Sequence, residues 1–521
     1  MAIARRPAPG NRADGAATPV PPSWGWKIPG GGRAAHVSAA PEYQGTTSQV
    51  CGLYPFLAGS GAPVVGTPIG RHQLSGEVAC LDPLAWLRAG LTVNPGQFVL
   101  GQPGTGKSTL VKRQVTGAVA AGTRVLVLGD TKPDYVLLTA HLGGQVIRIG
   151  RGMDTINPLD SGPLGQALRH AAGAEARALR HEVRSRRLSL LMALCTLVRE
   201  ARVSNAEEVI LGRAVDLLDE RNPAGQPTVT DVLTVITQGP DALRSAARAG
   251  TPDAYRARTD DLAFTLTSLC AGTLAGTFDG QTSRPADLNV PMVTMDISRV
   301  GAAGDRLLTA AMLCTWAHGH AITDATAALA GQQGARQRPT LAVMDELWRA
   351  LRGAPGLVEH ADSLTRLNRA RGMATIMITH SLADLDALPT EEDRAKARGI
   401  AERCAITVLA ALPPRELDRV REIVPLTGPE RDLVTSWAAP ESWLPGARHP
   451  GRGRYLIKAG ERSGLPVEIT LVGAEHYLYD TDQAIRGNPL DQQRSRSAGQ
   501  ALEGAPRVTA GVPGRRAGSR E

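Results

Sequence analysis

Six short segments of the chain are apolar from end to end rather than at alternate positions. They are QFVLG at 97–101, RVLVLGD at 124–130, PMVTMDIS at 291–298, TLAVMDELW at 340–348, ATIMITHS at 374–381 and AITVLA at 405–410. Unbroken runs of this length suit strands covered on both faces, which is the setting of a parallel sheet. Between the runs the pattern takes a helical period. Ser108–Val119 reads as a helix following the first strand. Over 161–285 the recurrence of Leu179, Val183, Leu190, Leu191, Leu194 and Val198 predicts amphipathic helices. Ser204 and Glu207, three apart ahead of VILGRAVDLL, form a predicted capping box.

Alternating strands and helices predict an α/β fold, a doubly wound and mostly parallel sheet with an inserted all-helical subdomain. The sheet domain is expected over 96–160 and 286–482, with the helical insertion at 161–285 and a small strand-rich lead-in at 49–95. RYLIKAG and PVEITLVG, late in the chain, read as a hairpin. Residues 1–48 and 483–521 are rich in Gly, Pro, Ala and Arg without a period and read as disordered tails, the second of them basic.

The chemistry begins where the first apolar run ends. Residues Gly101, Gln102, Pro103, Gly104, Thr105, Gly106, Lys107 and Ser108, followed by Thr109, fit the phosphate-loop pattern, and they lie between a strand and a helix as that loop requires. Glycines let backbone N–H groups close around phosphate oxygens, and the helix N-terminus adds partial positive charge. Lys107 is placed to reach the β- and γ-phosphates of ATP, and the Ser108 hydroxyl to ligate Mg²⁺. The run TLAVM ends on Asp345 and Glu346. Alone, such a pair is a solvated strand boundary. Downstream of a phosphate loop it reads as a carboxylate that holds Mg²⁺ and a general base that takes a proton from water, which points to hydrolysis. A third run ends on Thr379 and His380, and LTRLNRARG ahead of it offers Arg366, Arg369 and Arg371.

Charge changes the picture less than its total suggests. The 521 residues carry a net charge of +8, but 1–48 hold five basic residues against two acidic, and 483–521 seven against three. The stretch between is left nearly neutral, so global charge does not argue for a nucleic-acid partner. Basic residues are almost all arginine, with only six lysines, a bias typical of a GC-rich bacterial genome. Arg177, Arg180, Arg184 and Arg187 share one helix face, read as a solvated face diluted by Glu175 and Glu182 in preference to a nucleic-acid stripe. Six scattered cysteines show no zinc spacing and read as free thiols in a reducing cytosol. His318 and His320 read as structural. The apolar stretch Leu307–Thr323 is too short and too polar to span a bilayer, so no integral membrane span is expected.

Together these motifs resemble the HerA–FtsK branch of P-loop ATPases, and within it the conjugative type IV secretion ATPases. The resemblance runs through GQPGTGKST, VLVLGDTKPDY, LGGQVIRIG, INPLD, LAGTFDG, MVTMDIS, VMDELWRAL and RLNRARGMATIMITHSLADL, in that order. It implies a RecA-like core that assembles as a homo-hexamer with ATP and Mg²⁺ at subunit interfaces. Lys107, Ser108, Asp345 and Glu346 match the family's Walker residues, and Asp130 the acid closing its second strand. Arg369 matches its trans-acting arginine finger, with Arg366 and Arg371 as the neighbouring alternatives. Glu346, Arg369 and His380 would be the catalytic residues. At the sensor position the family has Gln and this chain has His380, which predicts a stronger pH dependence of turnover. The implied role is the motor of a conjugative or type IV secretion apparatus, cytoplasmic and docked through other secretion components at the inner face of the membrane. The alternative is a coupling protein that pumps DNA through the ring.

Overall fold

The computed structural model describes residues 62–223, 225–272, 275–300, 304–353, 357–366, 371–438 and 449–479. The two tails therefore lie outside the described residues. Eleven strands form one sheet: β1 (Pro68–His72), β2 (Val78–Cys80), β3 (Gly96–Leu100), β4 (Arg124–Asp130), β5 (Gln145–Arg148), β6 (Met292–Asp296), β7 (Thr340–Met344), β8 (Met373–Thr379), β9 (Ile406–Leu409), β10 (Arg454–Ala459) and β11 (Leu465–Glu468). Their order is β2-β1-β11-β10-β9-β3-β8-β7-β4-β6-β5. From β9 to β5 every neighbouring pair is parallel. The other edge is antiparallel, built from the β10–β11 hairpin and from β1 and β2. This is a RecA-like, mostly parallel α/β sheet.

The six unbroken apolar runs all become central strands, because each has both faces covered. On β4, Leu126 and Leu128 face one core, whereas Val125 and Val127 face the other. The second core is closed by the helix Lys107–Ala120, by β1 and by the late hairpin. The first core is larger. Between β5 and β6 the chain makes six helices over 163–271, and their residues Leu190, Leu211, Val235 and Leu266 join the sheet's Phe98 and Leu126 in one continuous cluster. The helix Asp305–Gln332 runs through the same cluster, with the indole of Trp316 donating to the Leu128 carbonyl at 3.2 Å. Its apolar stretch is buried protein core. Among the described residues no helix is long and apolar enough to cross a membrane.

Local signals behave as their chemistry demands. Ser204 and Glu207 form the capping box at the start of the helix Asn205–Arg221. In the lead-in, DPLAWL is a short helix rather than a strand, because the Asp82 carboxylate accepts from the N–H groups of Leu84 (2.8 Å) and Ala85 (3.0 Å). The arginine face on the helix Gly173–Arg199 is solvated only in part. Arg177 and Arg180 are exposed, whereas Arg187 is buried, donating to the Leu159 carbonyl at 2.7 Å and pairing with Asp219. Arg184 pairs with Asp216. The spacing that put the four on one face could not tell which end of that face meets its neighbours.

Candidate nucleotide site

Strand order brings the singled-out residues together. The loop from Gly101 follows β3, Asp345 and Glu346 follow β7, and β8 lies between those two strands. His380, the residue after β8, therefore stands between the loop lysine and the acidic pair. The distances bear this out: Lys107 Nζ is 2.8 Å from His380 Nδ1, and His380 Nε2 is 2.7 Å from Glu346 Oε1. Because an ionised carboxylate can only accept, the proton sits on Nε2 and Nδ1 accepts from the lysine.

The loop owes its shape to glycine and to long-range braces. Gly104 and Gly106 take φ of 79° and 95°, in the left-handed region that ordinary side chains avoid. Gly106 is the N-cap of the following helix and leaves its first N–H groups without a side-chain cap. Pro103 is exposed at the tip, and Ser108 and Thr109 lie in the first helical turn. The Gln102 N–H donates to the Ala411 carbonyl at 3.0 Å, and the Thr105 hydroxyl to the Gln102 carbonyl at 2.7 Å. From the far hairpin the Tyr455 hydroxyl donates to the Gly106 carbonyl at 2.6 Å, and the Gly453 N–H to the Thr105 carbonyl at 3.2 Å. A Cβ on Gly106 would lie 2.7 Å from the Tyr455 oxygen. Lys107 itself is buried and donates to the Gly101 carbonyl (2.6 Å) and the Gln102 carbonyl (3.0 Å). Burial pushes its pKa down to about 8, against the opposing pull of Asp345 and Glu346.

Opposite the loop lies a group of acids. Asp130 closes β4, is buried, and accepts from the N–H groups of Asp134 (3.0 Å) and Tyr135 (2.8 Å). Burial pushes its carboxyl up to about 6. Asp345 is pushed up to about 7, first by burial and then by the neighbouring Glu346, Asp134 and Asp130. Glu346 goes the other way. Burial alone would raise it, but His380 and Lys132 hold its carboxyl well below the usual carboxylate range. Lys132 Nζ lies 2.7 Å from Oε1, and Trp348 Nε1 donates to Oε2 at 2.7 Å. The Glu346 backbone sits at φ 54°, a left-handed conformation that costs a non-glycine residue about 1–2 kcal/mol and that clusters at working sites.

Of the residues expected to act, the loop, Lys107, Asp345, Glu346 and His380 meet at one end of the sheet. Arg369 lies outside the described residues, and so does the side chain of Arg366, whose backbone ends the helix Leu357–Arg366. Arg371 is turned inward, bridging to Asp324 at 3.0 Å. Lys132, Trp348 and Tyr455 had no assigned part in the sequence reading. A faint signal for Lys132 exists: in a chain with six lysines and 52 arginines, it stands in an acidic turn, D-T-K-P-D. The residues present fit a magnesium-bound nucleotide. Left-handed glycines at a helix N-terminus with a buried lysine suit the phosphates, and the Asp345 carboxylate, buried among other acids, suits a divalent cation.

No protein-family model matches the sequence, and no curated protein does. Solved structures do resemble the fold. VirB4 of Thermoanaerobacter pseudethanolicus superposes with a TM-score of 0.56 at 20% identity, covering 80% of this chain and 100% of that one. The plasmid coupling protein TrwB in complex with ADP and Mg²⁺ gives 0.45 at 14% identity, over 79% and 96% of the two chains. On the first of these, and on the phosphate loop at the end of its central strand, the chain has the RecA-like P-loop fold of VirB4.

Proposed function

We propose that the chain is the ATP-hydrolysing motor of a conjugative or type IV secretion apparatus. The observation that carries the reading is the run Lys107–His380–Glu346, set at the end of the sheet in a chain whose fold matches all of the solved VirB4 chain. In this reading Lys107 and the loop N–H groups bind the ATP phosphates. Ser108 and Asp345 hold Mg²⁺, which when bound neutralises charge on the β- and γ-phosphates. Glu346 accepts the proton of the attacking water, and His380, donating to Glu346 through Nε2 and accepting from Lys107 through Nδ1, ties that base to the phosphate-binding lysine. Arg369 completes a neighbouring copy's site in a homo-hexameric ring. The ring works in the cytoplasm, docked through other secretion components at the membrane.

The test is steady-state ATP hydrolysis by the purified protein with Mg²⁺, titrated with single- and double-stranded DNA at near-physiological salt, with Lys107→Ala as the blank. Turnover that Lys107→Ala abolishes and DNA leaves unchanged is expected. Turnover that rises and saturates with DNA would replace the secretion motor by a DNA-pumping coupling protein. No turnover above the Lys107→Ala blank would refute the enzyme reading.

A further inference from the structure

Glu346 is gripped by more donors than a general base needs, and they are unevenly shared between its two oxygens. Oε1 faces Lys132 Nζ and His380 Nε2, each at 2.7 Å, and among the described residues Oε2 faces only the indole N–H of Trp348, also at 2.7 Å. A carboxylate oxygen offers two lone-pair positions. Both positions of Oε1 are taken and one of Oε2 remains. The side chain is almost wholly buried (5% exposed), and its backbone is held at a left-handed φ, so the carboxylate is fixed at both ends. Trp348 is itself steadied from outside, with the Arg352 guanidinium stacked 5.4 Å over its ring.

We propose that Trp348 is a positioning residue that presents Oε2 of Glu346 as the base for the attacking water. The proposal rests on the reading of the site as an ATPase and specifies how its base is aimed. In the step so positioned, the water oxygen forms a bond to the γ-phosphorus and the bond from that phosphorus to the β,γ-bridging oxygen breaks. The electron pair leaves on ADP, and the water proton passes to Oε2. Lys132 and His380 fix the other oxygen, so the carboxylate has a single open position and the water a single place to lie. Indole suits the task because its one donor satisfies one lone pair and competes for nothing else.

The experiment compares the full chain with Trp348→Phe, which keeps an aromatic ring under Arg352 and removes the N–H. Losing a hydrogen bond to a charged group predicts a kcat lowered about ten- to hundredfold, with KM and equilibrium binding of ATP within about twofold of the parent. Trp348→His, which restores a ring N–H, recovers part of the loss. In a Glu346→Gln background, Trp348→Phe has no further effect, because Trp348 acts only through that carboxylate. The proposal is overturned by an unchanged kcat in Trp348→Phe, by a loss of ATP binding in step with kcat, or by a further loss on top of Glu346→Gln. A parent protein that binds ATP without hydrolysing it would instead overturn the ATPase reading itself.

Discussion

Replacing Gly106 with alanine tests whether the phosphate loop is shaped by its braces or only by its own sequence. Two costs can be worked from the geometry. At φ 95° an alanine takes a conformation that costs an L-residue about 1–2 kcal/mol. Its Cβ would also lie 2.7 Å from the Tyr455 hydroxyl, closer than real carbon–oxygen contacts allow. The phenol, itself buried, must withdraw, giving up its 2.6 Å bond to the partly buried Gly106 carbonyl, at about 1–3 kcal/mol. Gly106→Ala should therefore weaken ATP binding by about 2–5 kcal/mol, thirtyfold or more. Tyr455→Phe alone loses one hydrogen bond, about 1 kcal/mol. The double variant should cost about 2–3 kcal/mol, less than the two singles added, because the atom that the methyl strikes has gone. Equilibrium binding of ATP to all four proteins, with thermal unfolding alongside, measures the coupling. Strict additivity would refute the brace.

Three further outcomes are expected. In the fold Asp130 titrates at about 6 and Asp345 at about 7, whereas both lie near 4 in the unfolded chain, so the folded protein holds the extra protons between those values. Metal-free stability then falls as pH rises from about 4 to about 7, and Mg²⁺ should raise the unfolding midpoint more at pH 8 than at pH 5.5, as thermal denaturation would show. His380→Gln should lessen the pH dependence of turnover, and an unchanged pH–rate profile would mean that the imidazole has no part in it. Arg187→Ala should destabilise the protein by about 2–4 kcal/mol, because it orphans Asp219 and the Leu159 carbonyl, whereas Arg177→Ala should lie within about 0.5 kcal/mol of the parent in chemical denaturation.

What could be read from the sequence follows from how far each signal reaches along the chain. The strands were legible because burial on both faces leaves unbroken apolar runs. The loop was legible because its glycines and lysine are neighbours, and so was the Ser204–Glu207 cap, whose partners are three residues apart. Strand order was not. Nothing in ATIMITHS says that β8 lies between β3 and β7, yet that placement puts His380 against both Lys107 and Glu346. The hold of Lys132 on Glu346 spans 214 positions and leaves no period to detect. Trp348 could have been suspected, because a half-buried indole seeks an acceptor and an acidic pair lies just before it. The helix at DPLAWL was hidden by neighbouring strand-like residues, although Asp82 ahead of Pro83 carried its start signal.

The bond from Tyr455 to the phosphate loop has a consequence for how the protein is born. Its partners are 349 residues apart. On a ribosome adding about 5–20 residues each second, the loop is made some 20–70 s before the hairpin that braces it. Throughout that interval a nascent chain carries every residue of the phosphate loop without the contacts that set its form. Firm nucleotide binding thus becomes a property of chains made past Tyr455, and chains terminated before it, which would otherwise compete for places in an assembly, are left poorly able to hold ATP. A ribosome-stalled series ending before and after Tyr455, probed for ATP retention, would display that threshold.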